Sequence, residues 1–404
     1  MATPQTYRLA SVCARETEDP RTTRPHVLPL YATSSFSFDS IDEGISIFSG
    51  EQQGHVYGRY GNPTMEAVAR KLAQLEAAGT GRDAEGLLLS SGQAAISTLM
   101  LSLLQQGDKI LTQGNLYGGT TELFQKVLAP HGIGTLFTDL QDTAAVEAML
   151  QEDPTIRMLY FETPANPTLA CVDIGMLSEL ARRYGAWSAV DNTFATPVLQ
   201  QPLRYGVDFI IHSTTKFLNG HGNAISGAII TSHRDMLEPG GRIWTTMKLT
   251  GTNASPWDAW LLHNGMKTLA LRMERHSANA MSLARHLEND PRVLRVNYCG
   301  LPSHPDHAVA SRQMNAFGGM LSFELKGGLE AGLRCMNAVR FCTLAPTLGD
   351  VDTLILHPAS MSHRNVAPSV RQANGITDGL IRVSCGIEDI LDITEDLQQA
   401  MDAI

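Results

Sequence analysis

The sequence lacks the features that mark membrane, secreted and nucleic-acid-binding proteins. No stretch approaches the roughly 18 unbroken apolar residues of a membrane-spanning helix, and the first residues contain no apolar signal core. Lys and Arg number 31 against 41 Asp and Glu, a net charge of −10, whereas nonspecific nucleic-acid binding requires clustered basic residues. We therefore expect a cytoplasmic protein with no membrane and no nucleic-acid partner.

Cysteine is scarce, and the spacing of the cysteines argues against a disulfide framework and against a metal site. The six cysteines are scattered along the chain, and no two form a CxxC pair. They are Cys13, Cys171, Cys299, Cys335, Cys342 and Cys385. We interpret them as reduced thiols and predict neither a disulfide framework nor a metal site.

Lysine is also scarce, which leaves few candidates for a reactive amine. The chain contains Lys71, Lys109, Lys126, Lys216, Lys248, Lys267 and Lys326. Those on predicted helices are Lys71, Lys126 and Lys267. Lys109 lacks the hydroxyl and glycine neighbours of Lys216, which alone follows a buried strand in that setting.

The pattern of apolar and polar residues changes twice along the chain. Its length is typical of two or three domains. Residues 1–62 show no sustained helical period and predict an extended N-terminal arm lying on a partner subunit; the first twenty residues fit a frayed tail equally well. Residues 63–260 alternate short apolar runs with amphipathic stretches, which predicts a large α/β domain with a mostly parallel sheet covered by helices on both faces. Residues 261–404 predict a smaller C-terminal α+β domain.

Particular elements can be predicted from these patterns. We predict strands over 87–89, 109–111, 158–161, 188–190, 209–211, 319–325 and 379–384. We predict helices beginning at Pro63 and over 93–105, 121–128, 176–184, 261–287 and 390–403. Within the helix over 261–287, the cluster of Arg272, Glu274, Arg275 and His276 is interpreted as a solvated face.

The segment Asp208–Gly222 carries the strongest chemical signal. A buried strand runs into hydroxyl residues, then Lys216, then a glycine-rich turn. Burial lowers the pKa of a lysine, and a neutral amine is what a Schiff base to an aldehyde requires. The hydroxyls of Ser213 and Thr215 can hydrogen-bond a phosphate. Taken alone, the pattern also fits a solvated lysine after a strand.

Two other segments extend this pattern. Asp191 ends an apolar strand, where a carboxylate can keep a pyridine nitrogen protonated. Ser90–Ala94 joins a strand to a helix whose N-terminus offers free N–H groups to a phosphate. Singly, each is also typical of a helix cap or an α/β loop. With Lys216 they indicate a pyridoxal-phosphate site.

These three segments resemble the Cys/Met-metabolism family of pyridoxal-phosphate enzymes, which has fold type I. That family includes methionine γ-lyase, cystathionine γ-lyase and γ-synthase, and the O-acylhomoserine sulfhydrylases. The resemblance extends over nearly the whole chain from about Pro29. Further matching segments are Val56–Thr64, Asn115–Thr120, Glu162–Pro167 and Gly379–Asp389.

The resemblance implies roles around the cofactor. Lys216 would bind pyridoxal phosphate covalently and then move protons on the substrate, while Asp191 would pair with the pyridinium nitrogen. Asn166 would lie near the phenolic oxygen of the ring. The residues expected to hold the phosphate are Gly92, Gln93, Ser213 and Thr215.

The resemblance also implies roles around the substrate and between subunits. Tyr117 would stack on the ring and exchange a proton with the leaving group. Arg382 would bind the substrate carboxylate through its planar fork, with Thr347 in the same substrate site. Tyr57 and Arg59 would complete the phosphate site of a neighbouring subunit, and Tyr57 would also contact the substrate. The minimal active unit would then be a dimer, and a homotetramer is expected.

By this resemblance the reaction is γ-elimination on a sulfur-containing or homoserine-derived amino acid, giving a 2-oxo acid and ammonia. Within this family, the sequence most resembles methionine γ-lyase, notably over 271–276, 318–328 and 357–363. The alternative is γ-replacement, as in O-acetyl- or O-succinylhomoserine sulfhydrylase and the cystathionine enzymes. A catalytically silent binding scaffold is a remote alternative, which the presence of both Lys216 and Asp191 argues against.

Three positions depart from methionine γ-lyases. Those enzymes usually have Cys two residues after the site tyrosine, where this chain has Gly119. They tend to have a Lys-Asp pair where this chain has Met247-Lys248, and the residues 223–225 also differ. Because these positions shape the pocket around the leaving group, the γ substituent stays open among a thioether, an acylated hydroxyl and another heteroatom group.

Overall fold

The N-terminal segment contains two short helices, which the sequence did not predict. The computed structural model describes residues 7–15, 25–364 and 368–404, and the helices there are α1 (Leu9–Ala14) and α2 (Ile41–Ser49). The Ser40 hydroxyl caps α2 by accepting from the amide of Glu43 at 3.1 Å. Of the first twenty residues, for which a frayed tail is the alternative, 1–6 and 16–20 lie outside the described residues.

A seven-stranded sheet forms the centre of the molecule. Its strands are β1 (Glu85–Leu89), β2 (Lys109–Gln113), β3 (Gly134–Thr138), β4 (Ile156–Glu162), β5 (Trp187–Asp191), β6 (Phe209–His212) and β7 (Gly227–Thr231). Their order is β1-β7-β6-β5-β4-β2-β3. In this sheet only β7 runs antiparallel to its neighbours β1 and β6, so the predicted mostly parallel sheet is confirmed.

Helices cover both faces of this sheet. They are α3 (Pro63–Ala77), α4 (Gly92–Leu103), α5 (Gly118–Glu122), α6 (Thr143–Glu152), α7 (Ile174–Arg183), α8 (Thr196–Leu199) and α9 (Arg242–Thr250). A π-helical turn, Leu123–Leu128, continues α5. Side chains of β4 alternate between the two cores, because successive residues of a strand face opposite sides. Leu159 and Phe161 pack with α3 and α7, whereas Met158 and Tyr160 pack with α4.

A second, mostly antiparallel sheet lies in the C-terminal part of the chain. Its strands are β8 (Val293–Asn297), β9 (Met320–Leu325), β10 (Thr343–Leu344), β11 (Leu354–Leu356) and β12 (Leu380–Ser384), in the order β10-β11-β12-β9-β8. The helices in this part of the chain are α10 (Pro256–Met266), α11 (Leu269–Glu288), α12 (His307–Gln313), α13 (Gly328–Ala338), α14 (Pro368–Ala373) and α15 (Ile390–Met401). No helix in the described ranges is both long and apolar enough to cross a membrane.

The helix predicted over 261–287 is interrupted, and its predicted solvated face is partly wrong. The interruption at Lys267 and Thr268 separates α10 from α11. Arg272 is only 3% exposed, and His276 is fully buried. Arg272 donates to the Gly265 carbonyl at 2.8 Å, and His276 Nδ1 lies 2.6 Å from the carbonyl of Cys385. Backbone carbonyls therefore take the place of water around these polar side chains.

Candidate active site

Lys216 follows β6 at the carboxyl end of the central sheet. Its Nζ donates to Thr347 Oγ1 at 2.8 Å. The chain behind it is held by Arg272, whose Nη1 donates to the carbonyl of Phe217 at 2.6 Å. Gly349, at φ +87°, packs on the same turn, where a Cβ would lie 2.5 Å from the Phe217 nitrogen. The Lys216 amine is thus fixed between the two sheets.

The surroundings of Lys216 favour its neutral form. Burial lowers the pKa of Lys216, and the positive charge of Arg382 lowers it further, while Asp350 acts in the opposite direction. Only a neutral amine has the lone pair that attacks a carbonyl carbon. Lys216 therefore has the environment that a nucleophilic lysine needs.

Asp191 ends β5, the strand beside β6. Its Oδ1 accepts from the Thr193 amide at 2.9 Å. Burial raises the pKa of Asp191, while hydrogen bonds from Thr193, the charge of His212 and the Tyr160 hydroxyl act to lower it. A cation opposite the carboxylate would lower the pKa again. Asp191 is therefore suited to a protonated ring nitrogen.

The N-terminus of α4 forms an anion cradle beside these groups. Its cap, Ser91, accepts from the Ala94 amide at 3.0 Å, and the first amides of the helix have no acceptor within it. A Cβ on Gly92 would lie 2.8 Å from the Cβ of Ser213, so a side chain there would close the cradle. The free amides, the helix dipole and the Ser213 hydroxyl together suit a phosphate.

One cavity of about 290 Å³ unites nine of the residues predicted from the sequence. These are Gly92, Gln93, Tyr117, Asn166, Asp191, Ser213, Thr215, Lys216 and Arg382. Thr347 joins them through its hydrogen bond to Lys216. Segments far apart in the chain therefore meet where the ligands of parallel sheets usually bind.

Arg382 on β12 supplies a buried cation at this cavity. It is 5% exposed, and its Nη2 donates to the Thr347 carbonyl at 2.7 Å. Its Nη1 lies 3.4 Å from Asn166 Oδ1. Burial lowers the pKa of Arg382 to about 10, so the guanidinium is still charged at neutral pH. A substrate carboxylate is the ligand that this charged fork suits.

Tyr57 and Arg59 lie apart from this cavity. The Arg59 guanidinium donates to the carbonyl of Lys248 and lies 5.1 Å from the ring centroid of Tyr60. Tyr57 is 43% exposed. Within one chain, these two predicted site residues are therefore not brought to the other ten.

Sequence reasoning missed two buried acidic groups near the site. Glu162 lines the cavity and ends β4 in register with Asp191, a strand-end position that could have revealed it. Glu76 and His212, both fully buried, form a side-chain pair with Glu76 Oε1 2.6 Å from His212 Nε2. The strand predicted over 209–211 ends before His212, and the helix predicted to begin at Pro63 gives Glu76 no role.

The chain belongs to the family described as Cys/Met metabolism PLP-dependent enzyme, which matches residues 10–402. It is 43% identical to the L-methionine gamma-lyase of Pseudomonas putida, over 93% of this chain and 92% of that protein. It is 40% identical to the O-succinylhomoserine sulfhydrylase of Pseudomonas aeruginosa, over 94% and 91%. The crystal structure of cystathionine gamma-lyase from Lactobacillus plantarum complexed with L-serine superposes with a TM-score of 0.90, at 37% identity over 98% and 99%.

The residues of the cavity fit the family's cofactor, pyridoxal phosphate. The cradle that a Cβ on Gly92 would fill matches the phosphate, and Asp191 offers a carboxylate to the ring nitrogen. The Lys216 amine, whose pKa is lowered by burial, suits the aldehyde of the cofactor, because only a neutral amine can react with it. In the described part of the chain, no group of three or more His, Cys, Asp or Glu side chains could hold a metal ion.

Proposed function

We propose that this chain catalyses the pyridoxal-phosphate-dependent γ-elimination of a sulfur-containing or homoserine-derived L-amino acid. The products are a 2-oxo acid, ammonia and the thiol or other group released from the γ carbon. One observation carries the proposal: the Lys216 amine, whose pKa burial lowers, shares a cavity with Asp191 and the buried cation Arg382. The 43% identity to an L-methionine gamma-lyase supports this reaction.

Each residue has a part that follows from its surroundings. When bound, pyridoxal phosphate would supply an electron sink for the α carbon of the substrate. Lys216 takes the α proton and returns protons later, and Asp191 keeps a proton on the ring nitrogen. Arg382 binds the substrate carboxylate and so orients the α C–H bond towards Lys216. Such acid–base help contributes about 10²–10⁴-fold for each group.

Tyr117 is the group proposed to act on the leaving group. It lies at the mouth of the cavity and is 51% exposed. Its phenol can give a proton to the departing sulfur or oxygen and can cover the ring by stacking. Asn166, within reach of Arg382, would orient the phenolic side of the cofactor, and Thr347 would hold the Lys216 amine between proton transfers.

A second candidate is γ-replacement on an acylated homoserine. Two observations favour it: Gly119 stands where methionine γ-lyases usually have Cys, and the chain is 40% identical to an O-succinylhomoserine sulfhydrylase. The same residues serve both reactions up to the loss of the γ group. In replacement, sulfide or a thiol then forms a new bond to the γ carbon and the amino group is kept, whereas in elimination the unsaturated product is released and water hydrolyses it to the 2-oxo acid and ammonia. The preferred γ substituent, a thioether or an acylated hydroxyl, distinguishes the two candidate functions.

We also propose an assembly. Residues 1–62 would form an arm that brings Tyr57 and Arg59 to a neighbouring subunit's site, which makes a dimer the minimal unit and a homotetramer the expected one. The separation of both residues from the cavity of their own chain supports this. Residues 63–260 would form the cofactor domain and 261–404 the C-terminal domain of a cytoplasmic enzyme.

A substrate panel tests the reaction. Purified holoenzyme is incubated with L-methionine, L-cystathionine and O-acetyl-L-homoserine, with and without sulfide, and products are read by mass spectrometry. We expect 2-oxobutanoate and methanethiol in equal amounts from L-methionine, and neither from the Lys216→Ala control. A replacement product formed only with sulfide favours the sulfhydrylase. No 2-oxobutanoate from any substrate contradicts the elimination proposal.

A further inference from the structure

Glu162 is a buried carboxylate in the cavity that the proposed reaction does not use. It is 6% exposed and lies beside Asp191 on the neighbouring parallel strand. Both of its side-chain oxygens accept from the Tyr117 amide, at 2.9 and 3.0 Å. Glu162 therefore contacts Tyr117 and neighbours Asp191, which are two of the proposed site residues.

The backbone of Glu162 is clamped by a second side chain. Gln113 at the end of β2 donates to the Glu162 carbonyl at 3.2 Å and accepts from the Glu162 amide at 3.1 Å. Gln113 is itself 4% exposed. The backbone of Glu162 is therefore held in place at the carboxyl end of β4.

Tyr117, by contrast, lies on a connection between β2 and α5. Its side chain is half exposed, and it precedes the helix without capping it through its side chain. Its ring folds over Gly119, where a Cβ would lie 2.6 Å from the Tyr117 Cε1 atom. The amide contact with Glu162 thus joins this connection to the rigid sheet.

The two neighbouring carboxyl groups do not carry their charges independently. Burial raises the pKa of Glu162 well above its ordinary value and the charge of Asp191 raises it further, while the hydrogen bond from the Tyr117 amide lowers it. Burial also raises the pKa of Asp191, and hydrogen bonds from Thr193 act against this. Each carboxyl group therefore makes ionisation of the other less favourable.

We propose that Glu162 is a positioning residue whose side-chain oxygens hold the Tyr117 amide and thereby set the Tyr117 phenol at the mouth of the cavity. The inference rests on the proposed function only for the part that Tyr117 plays in the reaction.

Two variants of Glu162 distinguish the effect of its hydrogen-bond acceptor from the effect of its charge. Glu162→Gln keeps the acceptor oxygen and resembles the neutral acid, whereas Glu162→Ala removes the acceptor. Amide hydrogen exchange of the holoenzyme is followed in the peptide covering residues 114–122. We expect Glu162→Ala to speed exchange there about tenfold, the factor for one lost hydrogen bond, and Glu162→Gln to change it less than about threefold.

Turnover supplies the second measurement. We expect kcat of Glu162→Ala to fall about 10²-fold with KM nearly unchanged, because small misplacements of a catalytic group reduce rates by this factor. Glu162→Gln should retain most of kcat. The control is Asp142→Ala, which removes a carboxylate that accepts the Ala145 amide at 3.0 Å outside the cavity, and it should leave both measurements unchanged.

Three results would overturn the proposal: unchanged exchange in Glu162→Ala, unchanged kcat in Glu162→Ala, or a Glu162→Gln variant as impaired as Glu162→Ala. If Glu162→Ala does not fold, Glu162→Asp withdraws the acceptor by one methylene group and should give intermediate exchange. Exchange does not require turnover. A wild-type enzyme inactive on the whole panel therefore contradicts the proposed function, while exchange still decides the anchoring role of Glu162.

Discussion

The cofactor side of the cavity and the segment holding Tyr57 and Arg59 are built in different ways. On the cofactor side, Lys216, Asp191 and Glu162 follow or end neighbouring strands of one sheet. Tyr57 and Arg59 lie between α2 and α3, outside the cavity, and Tyr57 is 43% exposed. The comparison teaches that one chain brings the Lys216 amine and the anion cradle of α4 into one cavity but leaves Tyr57 and Arg59 outside it, which is the arrangement that the proposed sharing of sites between subunits requires.

The largest loss is expected when the cofactor side loses its amine. Lys216→Ala should lower kcat at least about 10³-fold, because it removes both the nucleophile and the proton carrier. Steady-state 2-oxobutanoate formation measures this loss. Lys126→Ala, an exposed lysine paired with Glu122, is the matched control and should behave as wild type. A Lys216→Ala enzyme with substantial turnover would contradict the assignment.

A smaller loss is expected at the substrate cation. Arg382→Ala should raise KM about 10²-fold, since a bidentate charged hydrogen bond contributes roughly 1.5–3 kcal/mol. Arg382→Lys should recover part of this affinity through charge alone. Initial rates across substrate concentrations measure the effect, with the exposed Arg334→Ala as control. A change in kcat alone would mean that Arg382 does not bind the substrate.

A subunit-mixing experiment tests whether Arg59 acts in the site of a neighbouring subunit while Lys216 acts in its own. Arg59→Ala and Lys216→Ala subunits, each inactive or impaired alone, are coexpressed with different tags and purified as hybrids. If Arg59 serves a neighbouring site, each hybrid dimer has one intact site and about half of wild-type activity. Hybrids with no recovered activity would indicate that Arg59 acts within its own chain.

Changes in stability should also distinguish the two regions, with little direct effect on chemistry. Glu76→Ala leaves the buried Nε2 of His212 without its hydrogen-bond partner and should destabilise the fold by about 1–3 kcal/mol. The matched control is Glu66→Ala, which breaks a partly exposed pair with His55 at 2.9 Å and should cost under about 1 kcal/mol. Thermal unfolding midpoints give the comparison, and equal shifts would refute it.

Much of the cofactor side was predictable, because strand ends can be read from apolar runs. All strands and helices predicted within residues 63–260 have counterparts. The apolar run of β7 carries no sign of its antiparallel direction, which is set by pairing with β1 and β6. The assigned roles of Lys216 and Asp191 stay predictions until the variants are measured.

Other features depend on partners far away in the chain. Burial of Arg272 follows from carbonyls at Phe217 and Leu218, which no local pattern reveals. Glu162 carries the same strand-end signal as Asp191, but its bond to the Tyr117 amide required the folded structure. For α2, Ser40 and Glu43 have capping-box spacing, which was a readable local signal.

The central claim is that Lys216 alone among the few lysines binds the cofactor. Borohydride reduces the double bond between a lysine nitrogen and the cofactor carbon, which makes the attachment permanent. Peptide mass spectrometry of the reduced, digested holoenzyme then locates the added mass. We predict modification of the peptide containing Lys216 and of no other lysine peptide. Cofactor mass on a different lysine, or none on the Lys216 peptide of an active enzyme, would contradict the account.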